Sequence, residues 1–224
     1  MKKFTVLIPF QEILNSFFGG AIARWVNEVY RSSEIFNLDI KVCGMVALDS
    51  NDYNELTIIS KNRYIFLSLI KIPFARRILS LFYCFLYRKE ILDSDLIEIH
   101  NSYEYIKYIR FLGYKGRLIL HMHNDYLSKI NNSEFRYIEN QISVLVVCSN
   151  HLAERIFSKF KNVSCKIEVV YNGVNFKLFH PNQSKKDTNT IGYVGRIEFN
   201  KGLHRLLEVY KIIIQKIPNI RLQI

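Results

Sequence analysis

The sequence predicts an α/β chain built on a doubly wound parallel sheet, and three observations predict it. Continuous apolar, β-branched runs such as FTVLIP (4–9) and SVLVVCS (143–149) have the pattern of strands covered on both faces. Segments with helical apolar spacing separate these runs in regular order, which argues for right-handed βαβ units. At 224 residues and 49% hydrophobic content, the chain can bury a full core, enough for one large domain or one domain plus part of another.

The elements follow from the N-terminus. FTVLIP is the first buried strand. Gly19-Gly20 then precede AIARWVNEVY, in which Ile22, Trp25, Val26, Val29 and Tyr30 fall on one helical face. DIKVCGMVA (39–47) and DLIEIHN (95–101) read as strands, and SYEYIKYIRFLGY as a helix closed near Gly113. RLILHMH (117–123) and SVLVVCS are the next strands, and Ser149 or Asn150 can cap the helix HLAERIFSKF. KIEVVYNGV supplies a further strand and turn.

FHPNQSKKDTNT (179–190) has no apolar periodicity beyond its first residue and reads as a linker. After it, TIGYVG is a short strand and GRIEFNKG a loop. KGLHRLLEVYKIIIQKI is a helix with Leu203, Leu206, Leu207, Tyr210, Ile214 and Ile217 on one face, and IRLQI opens another strand. The expected division is therefore residues 1–178, a linker at 179–190, and a second unit at 191–224. A strand, a helix and part of another strand do not enclose a core, so Leu206, Leu207, Ile213 and Ile214 should lie open to solvent.

Lys plus Arg number 31 against 20 Asp plus Glu, a net charge of +11 that favours anionic partners. No recognition motif with interleaved aromatics and base-reading polar residues accompanies it, so nucleic acid is not expected as a partner. Cys43, Cys84, Cys148 and Cys165 contain no C-x-x-C pair and read as reduced and mostly buried. MKKFTVLIPF has too short an apolar run for a signal peptide, which points to a cytoplasmic protein.

YVGRIEFNKG (193–202) carries the clearest chemical signal. Arg196 stands where a strand passes into a loop, and the helix after Lys201 turns its N-terminal amides toward that loop. An arginine grips two phosphate oxygens while a lysine supplies a mobile point charge, so the pair suits a diphosphate. Gly195 permits close approach of a ligand to the backbone. The bland alternative is a solvated loop with two surface cations.

VVYNGVNFKLFHP (169–181) followed by GYVGRIEFNKGLHRLLE (192–208) resembles the paired signatures of the retaining group 1 glycosyltransferases, whose fold is GT-B. CSNHLAERI, DLIEIHN, RLILHMHND and Gly19-Gly20 are similar to further family segments, in family order. The resemblance implies a Rossmann-like N-terminal acceptor-side domain and the truncated beginning of a C-terminal nucleotide-sugar-binding domain. It implies that Gly19, Gly20, Gly195, Arg196, Lys201 and Gly202 bind the donor diphosphate and that His123 is the catalytic histidine beside the transferred sugar. It implies no cofactor and no metal, because cations and helix dipoles hold the leaving group. The partners it implies are a nucleotide-sugar donor and a glycan or lipid-linked hydroxyl acceptor.

Asn175 departs from the family's Asp after N-G-V, Asn124 from its Asp or Ser, and Glu98 from a frequent His. The family's Glu-x7-Glu element, which holds the donor sugar and ribose, belongs to the later part of the second domain, and these residues end before it. His121 and His123 form an H-x-H with no third ligand at suggestive spacing, so a metal site is not expected from the sequence. Residues 61–89 hold seven basic residues, no acidic ones and many large apolars. They read either as two core-packed helices with basic outer faces or as a peripheral contact with anionic membrane.

The reaction expected is retaining transfer of a sugar to a hydroxyl acceptor in cell-surface polysaccharide or lipopolysaccharide biosynthesis. The competing expectation is an inactive remnant or acceptor-binding module.

Overall fold

A computed structural model describes residues 1–14, 20–30, 38–46, 57–62, 75–177, 179–181 and 189–224. The chain divides into two compact units, Met1–Asn175 and Phe176–Ile224.

The first unit is an eight-stranded sheet. Its strands are β1 (Lys2–Leu7), β2 (Ile13–Leu14), β3 (Leu38–Val46), β4 (Thr57–Asn62), β5 (Leu96–His100), β6 (Arg117–Met122), β7 (Val144–Val147) and β8 (Lys166–Val169). Every pairing is parallel. The β1 strand lies between β3 and β5, and from β5 the order runs outward through β6, β7 and β8. The order therefore reverses at β1, and the crevice beyond the carboxyl ends of the strands at such a reversal is where open α/β sheets take ligands.

The helices are α1 (Ala21–Tyr30), α2 (Ala75–Leu86), α3 (Arg88–Leu92), α4 (Glu104–Phe111), α5 (Asn132–Glu139) and α6 (Asn150–Lys159). One sheet face packs Leu7, Ile99, Leu120 and Leu145 against buried residues of α2 to α6, including Leu79, Tyr83, Ile106, Phe135 and Ile156. The other face packs Phe4, Val6, Ile8, Ile40 and Val42 against Ile22, Ala23, Val26 and Tyr30 of α1. Two-sided burial is why these strands read as unbroken apolar runs.

Several expectations are refined. Val29 is exposed on α1, whereas Ala23 is buried in its place. Ser149 is the residue that caps α6, its Oγ accepting from the Leu152 amide at 3.3 Å. The α5 helix lies in a stretch with no apolar period long enough to announce it; Asn131 starts it by accepting the Glu134 amide at 2.9 Å. Of residues 61–89, the described part contains α2 and α3, with Tyr83 and Cys84 buried and Arg77, Arg88 and Lys89 exposed. Cys43 and Cys84 are buried and Cys148 and Cys165 half-buried, all four as free thiols.

The second unit contains β9 (Thr190–Gly192), α7 (Leu203–Lys216) and β10 (Arg221–Gln223), with β9 and β10 parallel. The β9 strand stops at Gly192 rather than running to Gly195, because β10 offers only Arg221–Gln223 as partners. On α7 only Leu203 is buried; Leu207 and Ile214 are exposed as expected, with Val209 and Ile212, whereas Leu206 and Ile213 are half-buried.

Candidate functional site

The carboxyl end of β6 collects the imidazoles. In a strand, residues two apart share a face, so His121 and His123 project together. The β5–β6 register pairs His100 with His121, and Glu98, two residues before His100, lies on the same face. All four side chains therefore meet under α1. Trp25 covers them, with ring centroids 5.5 Å from His100, 4.7 Å from His121 and 5.4 Å from His123.

The polar contacts inside this cluster are specific. Tyr30 donates its hydroxyl to Glu98 Oε2. His121 Nδ1 lies 2.9 Å from Glu98 Oε1 and, facing a carboxylate, is the protonated nitrogen of its ring. His100 Nδ1 lies 2.9 Å from His123 Nε2, and His100 Nε2 lies 3.6 Å from Glu98 Oε2. Burial works to raise the Glu98 carboxyl, but the neighbouring His100, His121 and Tyr30 hold it well below the usual carboxylate range. Burial likewise pushes the Tyr30 hydroxyl far up, reinforced by the Glu98 charge.

His123 is half-buried at the strand end. Loss of solvent, with the two other imidazoles beside it, pushes it down to about 3, so at neutral pH it is an uncharged hydrogen-bonding ring. Its backbone is also fixed: the amide donates to Asn101 Oδ1 at 2.7 Å, and the Asn101 amide donates to the His121 carbonyl at 2.9 Å. Asn101 makes this contact from a left-handed backbone, φ 54°. Asparagine tolerates that conformation better than most residues.

Gly20 stands at the start of α1; Gly19 lies outside the described residues. A Cβ on Gly20 would come within 1.6 Å of Glu12 Oε2. That carboxylate reaches the first turn of α1, where it accepts from the Ala23 amide at 3.5 Å. The positive end of α1 is thus taken up by the chain's own anion. Burial raises the Glu12 carboxyl, and the Ala23 and Ile22 amides oppose that shift.

The second unit holds the cation loop by itself. Arg196 is exposed and pairs with Glu198 Oε1 at 2.9 Å, while Tyr193 donates to the Arg196 carbonyl at 2.9 Å. A Cβ on Gly195 would lie 3.3 Å from the Tyr193 hydroxyl, so that side of the turn is closely packed. Phe199–Lys201 form a single 3-10 turn, and Gly202 follows with φ 75°, a left-handed conformation that suits glycine. Gly202 caps α7 without a side-chain hydrogen bond, leaving the first-turn amides of α7 open at Lys201.

Sequence reasoning singled out His123, Gly20, Gly195, Arg196, Lys201 and Gly202. It did not foresee the enclosure of His123 by Trp25, Tyr30, Glu98 and His100. A signal existed: E-x-H at the end of one strand and H-x-H at the end of the next place four polar side chains on one face if the strands pair in register. Nor did it foresee Glu12 at α1 or Glu198 on Arg196.

Known proteins place this architecture. Trehalose-6-phosphate synthase OtsA covers 98% of this chain with a TM-score of 0.67 at 14% identity, and the match spans 64% of that chain. Sucrose-phosphate synthase from Thermosynechococcus elongatus covers 92% with a TM-score of 0.63 at 14% identity, spanning 59% of its own length. The fold is that of the GT-B glycosyltransferases.

The profile of Glycosyltransferase Family 4 matches residues 47–178, more than half of the chain. The chain belongs to that glycosyltransferase family. Among curated relatives, spore coat protein SA of Bacillus subtilis is 24% identical over 143 residues, 56% of this chain and 38% of the relative. The capsular polysaccharide biosynthesis glycosyltransferase CapM of Staphylococcus aureus is 38% identical over 84 residues, 38% of this chain and 19% of the relative. The chain thus spans well under half the length of the curated relatives it matches.

Proposed function

We propose that this chain carries the acceptor side and the opening of the donor side of an enzyme that moves a sugar from a nucleotide-sugar to a hydroxyl acceptor with retention. The observation that carries the reading is the uncharged His123 ring, 2.9 Å from His100 at the carboxyl end of β6, in a chain of this family. An uncharged imidazole there can hydrogen-bond a sugar hydroxyl without drawing the leaving diphosphate toward itself.

In this reading residues 1–178 form the acceptor-side domain, 179–190 the linker and 191–224 the start of the donor domain. Arg196 and Lys201, with Gly195 and Gly202 giving close backbone approach, hold the diphosphate as it departs. Gly19 and Gly20 approach the same phosphates, which requires Glu12 to leave the first turn of α1. A trehalose-6-phosphate synthase among the structural neighbours transfers with retention, which supports the stereochemical assignment.

CapM acts in capsular polysaccharide biosynthesis, which favours a glycan or lipid-linked acceptor in cell-surface polysaccharide or lipopolysaccharide assembly. Such acceptors are presented at the inner face of the cell membrane, and the exposed basic residues Arg77, Arg88 and Lys89 suit peripheral docking on anionic lipid there. Among the described residues no helix is long and apolar enough to cross a membrane.

The test is thermal protection of the full-length protein by nucleoside diphosphates and nucleotide-sugars, followed by a transfer assay. A ligand at one hundred times its Kd stabilises by about 2.7 kcal/mol, an easily read shift in Tm. Absence of protection by every nucleotide tried would end the proposal.

A further inference from the structure

We propose that His100, His121 and His123 form a three-imidazole site for a divalent transition metal ion, with Zn2+ as the type. One ring nitrogen from each residue lies within 4.8 Å of the other two. Nitrogens bound to one tetrahedral zinc stand roughly 3.3 Å apart, given bonds of about 2.05 Å. The nearest pair here, His100 Nδ1 and His123 Nε2, is already at 2.9 Å.

The tautomers suit ligation. Glu98 Oε1 takes the Nδ1 proton of His121, so His121 Nε2 carries a bare lone pair. That nitrogen is buried and has no hydrogen-bond partner among the described residues. A histidine that gives one N–H to a carboxylate and turns its other nitrogen to a metal is the usual outer-shell arrangement of zinc sites. His100 Nε2 is likewise buried without a hydrogen-bond partner among the described residues, 3.6 Å from Glu98 Oε2; with the proton on that nitrogen, Nδ1 is the second lone pair.

His123 is the ring that moves. The three rings lie nearly parallel, 15° between His100 and His123 and 16° between His121 and His123, so their nitrogens do not yet aim at one point. His100 and His121 are buried and His123 is half-buried at the strand end, so His123 is the ring that must turn for the three nitrogens to converge. On ligation its proton passes from Nε2 to Nδ1, and the metal replaces the hydrogen bond to His100.

Charge points the same way. Glu98 is 5% exposed, and its partners among the described residues are Tyr30, His100 and His121, with no lysine or arginine. A dication beside it offsets a buried carboxylate that is otherwise costly. An all-imidazole set favours zinc, cobalt, nickel or copper over magnesium or calcium, and three protein ligands leave the fourth position to water. The site shares His123 with the sugar-transfer reading, and the Co2+ titration reads metal binding without turnover, so the two fail separately.

The test uses the intact chain, stripped with a chelator and titrated with Co2+. The expected result is one Co2+ per chain with the visible absorption of tetrahedral coordination, displaced by Zn2+, and a rise in Tm on loading. His123→Gln abolishes that spectrum, Glu98→Gln weakens binding about 10- to 100-fold, and His204→Gln, in the other unit, leaves both unchanged. Circular dichroism of each variant identifies any that fail to fold. Two outcomes overturn the proposal: no stoichiometric Co2+ or Zn2+ on the wild-type chain, or a spectrum that folded His123→Gln retains.

Discussion

Glu98 and Arg196 are both charged groups held by an oppositely disposed neighbour, and they could hardly be placed more differently. Glu98 is 5% exposed, and three side chains from two strands and a helix point at it. Arg196 leaves 75% of its side chain in water and meets Glu198 two residues along the same loop. In the first region solvent is excluded, so hydrogen bonds fix tautomers and shift proton affinities. In the second, water screens the pair, which contributes between nothing and about 1 kcal/mol. One region is organised by burial; the other is a solvent-exposed loop whose guanidinium pairs with a neighbour in the same loop.

The widest separation between the regions should be in hydrogen exchange. Amides of β7, flanked on both sides in the sheet, should open only with the whole first unit, whereas β9, α7 and β10 open at much lower free energy. Protection of residues 190–224 equal to that of Val144–Val147 would erase the distinction.

Glu98→Ala comes next. It leaves the Tyr30 hydroxyl and His121 Nδ1 buried without their acceptor, and should cost about 3–5 kcal/mol in urea unfolding. A loss under about 1 kcal/mol would mean that the cluster is not organised by its carboxylate.

Arg196→Ala should leave unfolding free energy within about 0.5 kcal/mol of the parent, because the lost pair is exposed. If the loop holds the donor diphosphate as proposed, the same change should lower kcat/KM by the equivalent of about 3 kcal/mol of transition-state stabilisation. An equal fall in stability and turnover would make the loop structural. Glu198→Gln frees the guanidinium and should tighten diphosphate binding a few-fold, by less than about 1 kcal/mol.

The smallest effect sharpens the contrast between buried and exposed carboxylates. Glu139 is buried; burial raises its carboxyl, but the Ser164 amide at 2.8 Å and the Arg136 guanidinium more than reverse this and lower it below 4.5. Its contribution to stability is therefore complete above about pH 4.5 and is lost as the pH falls below that value. Glu139→Gln should flatten the acid limb of the stability profile, and an acid limb unchanged in that variant would break the comparison.

By itself the sequence determined what is local or repeated. Strands β1, β3, β5, β6 and β7 announced themselves because burial on both faces demands apolar runs. The α1 helix was legible to the residue from its apolar spacing, and the Ser149 cap from its position before α6. His123 and the Arg196–Lys201 loop were legible because their motifs are contiguous in the chain. The two-residue strand β2, the six-residue β4 and the α5 helix were not, since each depends on a neighbour more than on its own pattern.

Tertiary structure alone decided what stands next to His123. His100 joins His121 through strand register, Glu98 follows because residues two apart share a face, and Trp25 and Tyr30 arrive on a helix some seventy positions earlier. The same holds for Glu12, lodged against Gly20 at the start of α1. The physical reason is common to both. Pairing between distant segments is set by the summed burial of whole strands and helices, so no short stretch of sequence states which side chains that burial will bring into contact.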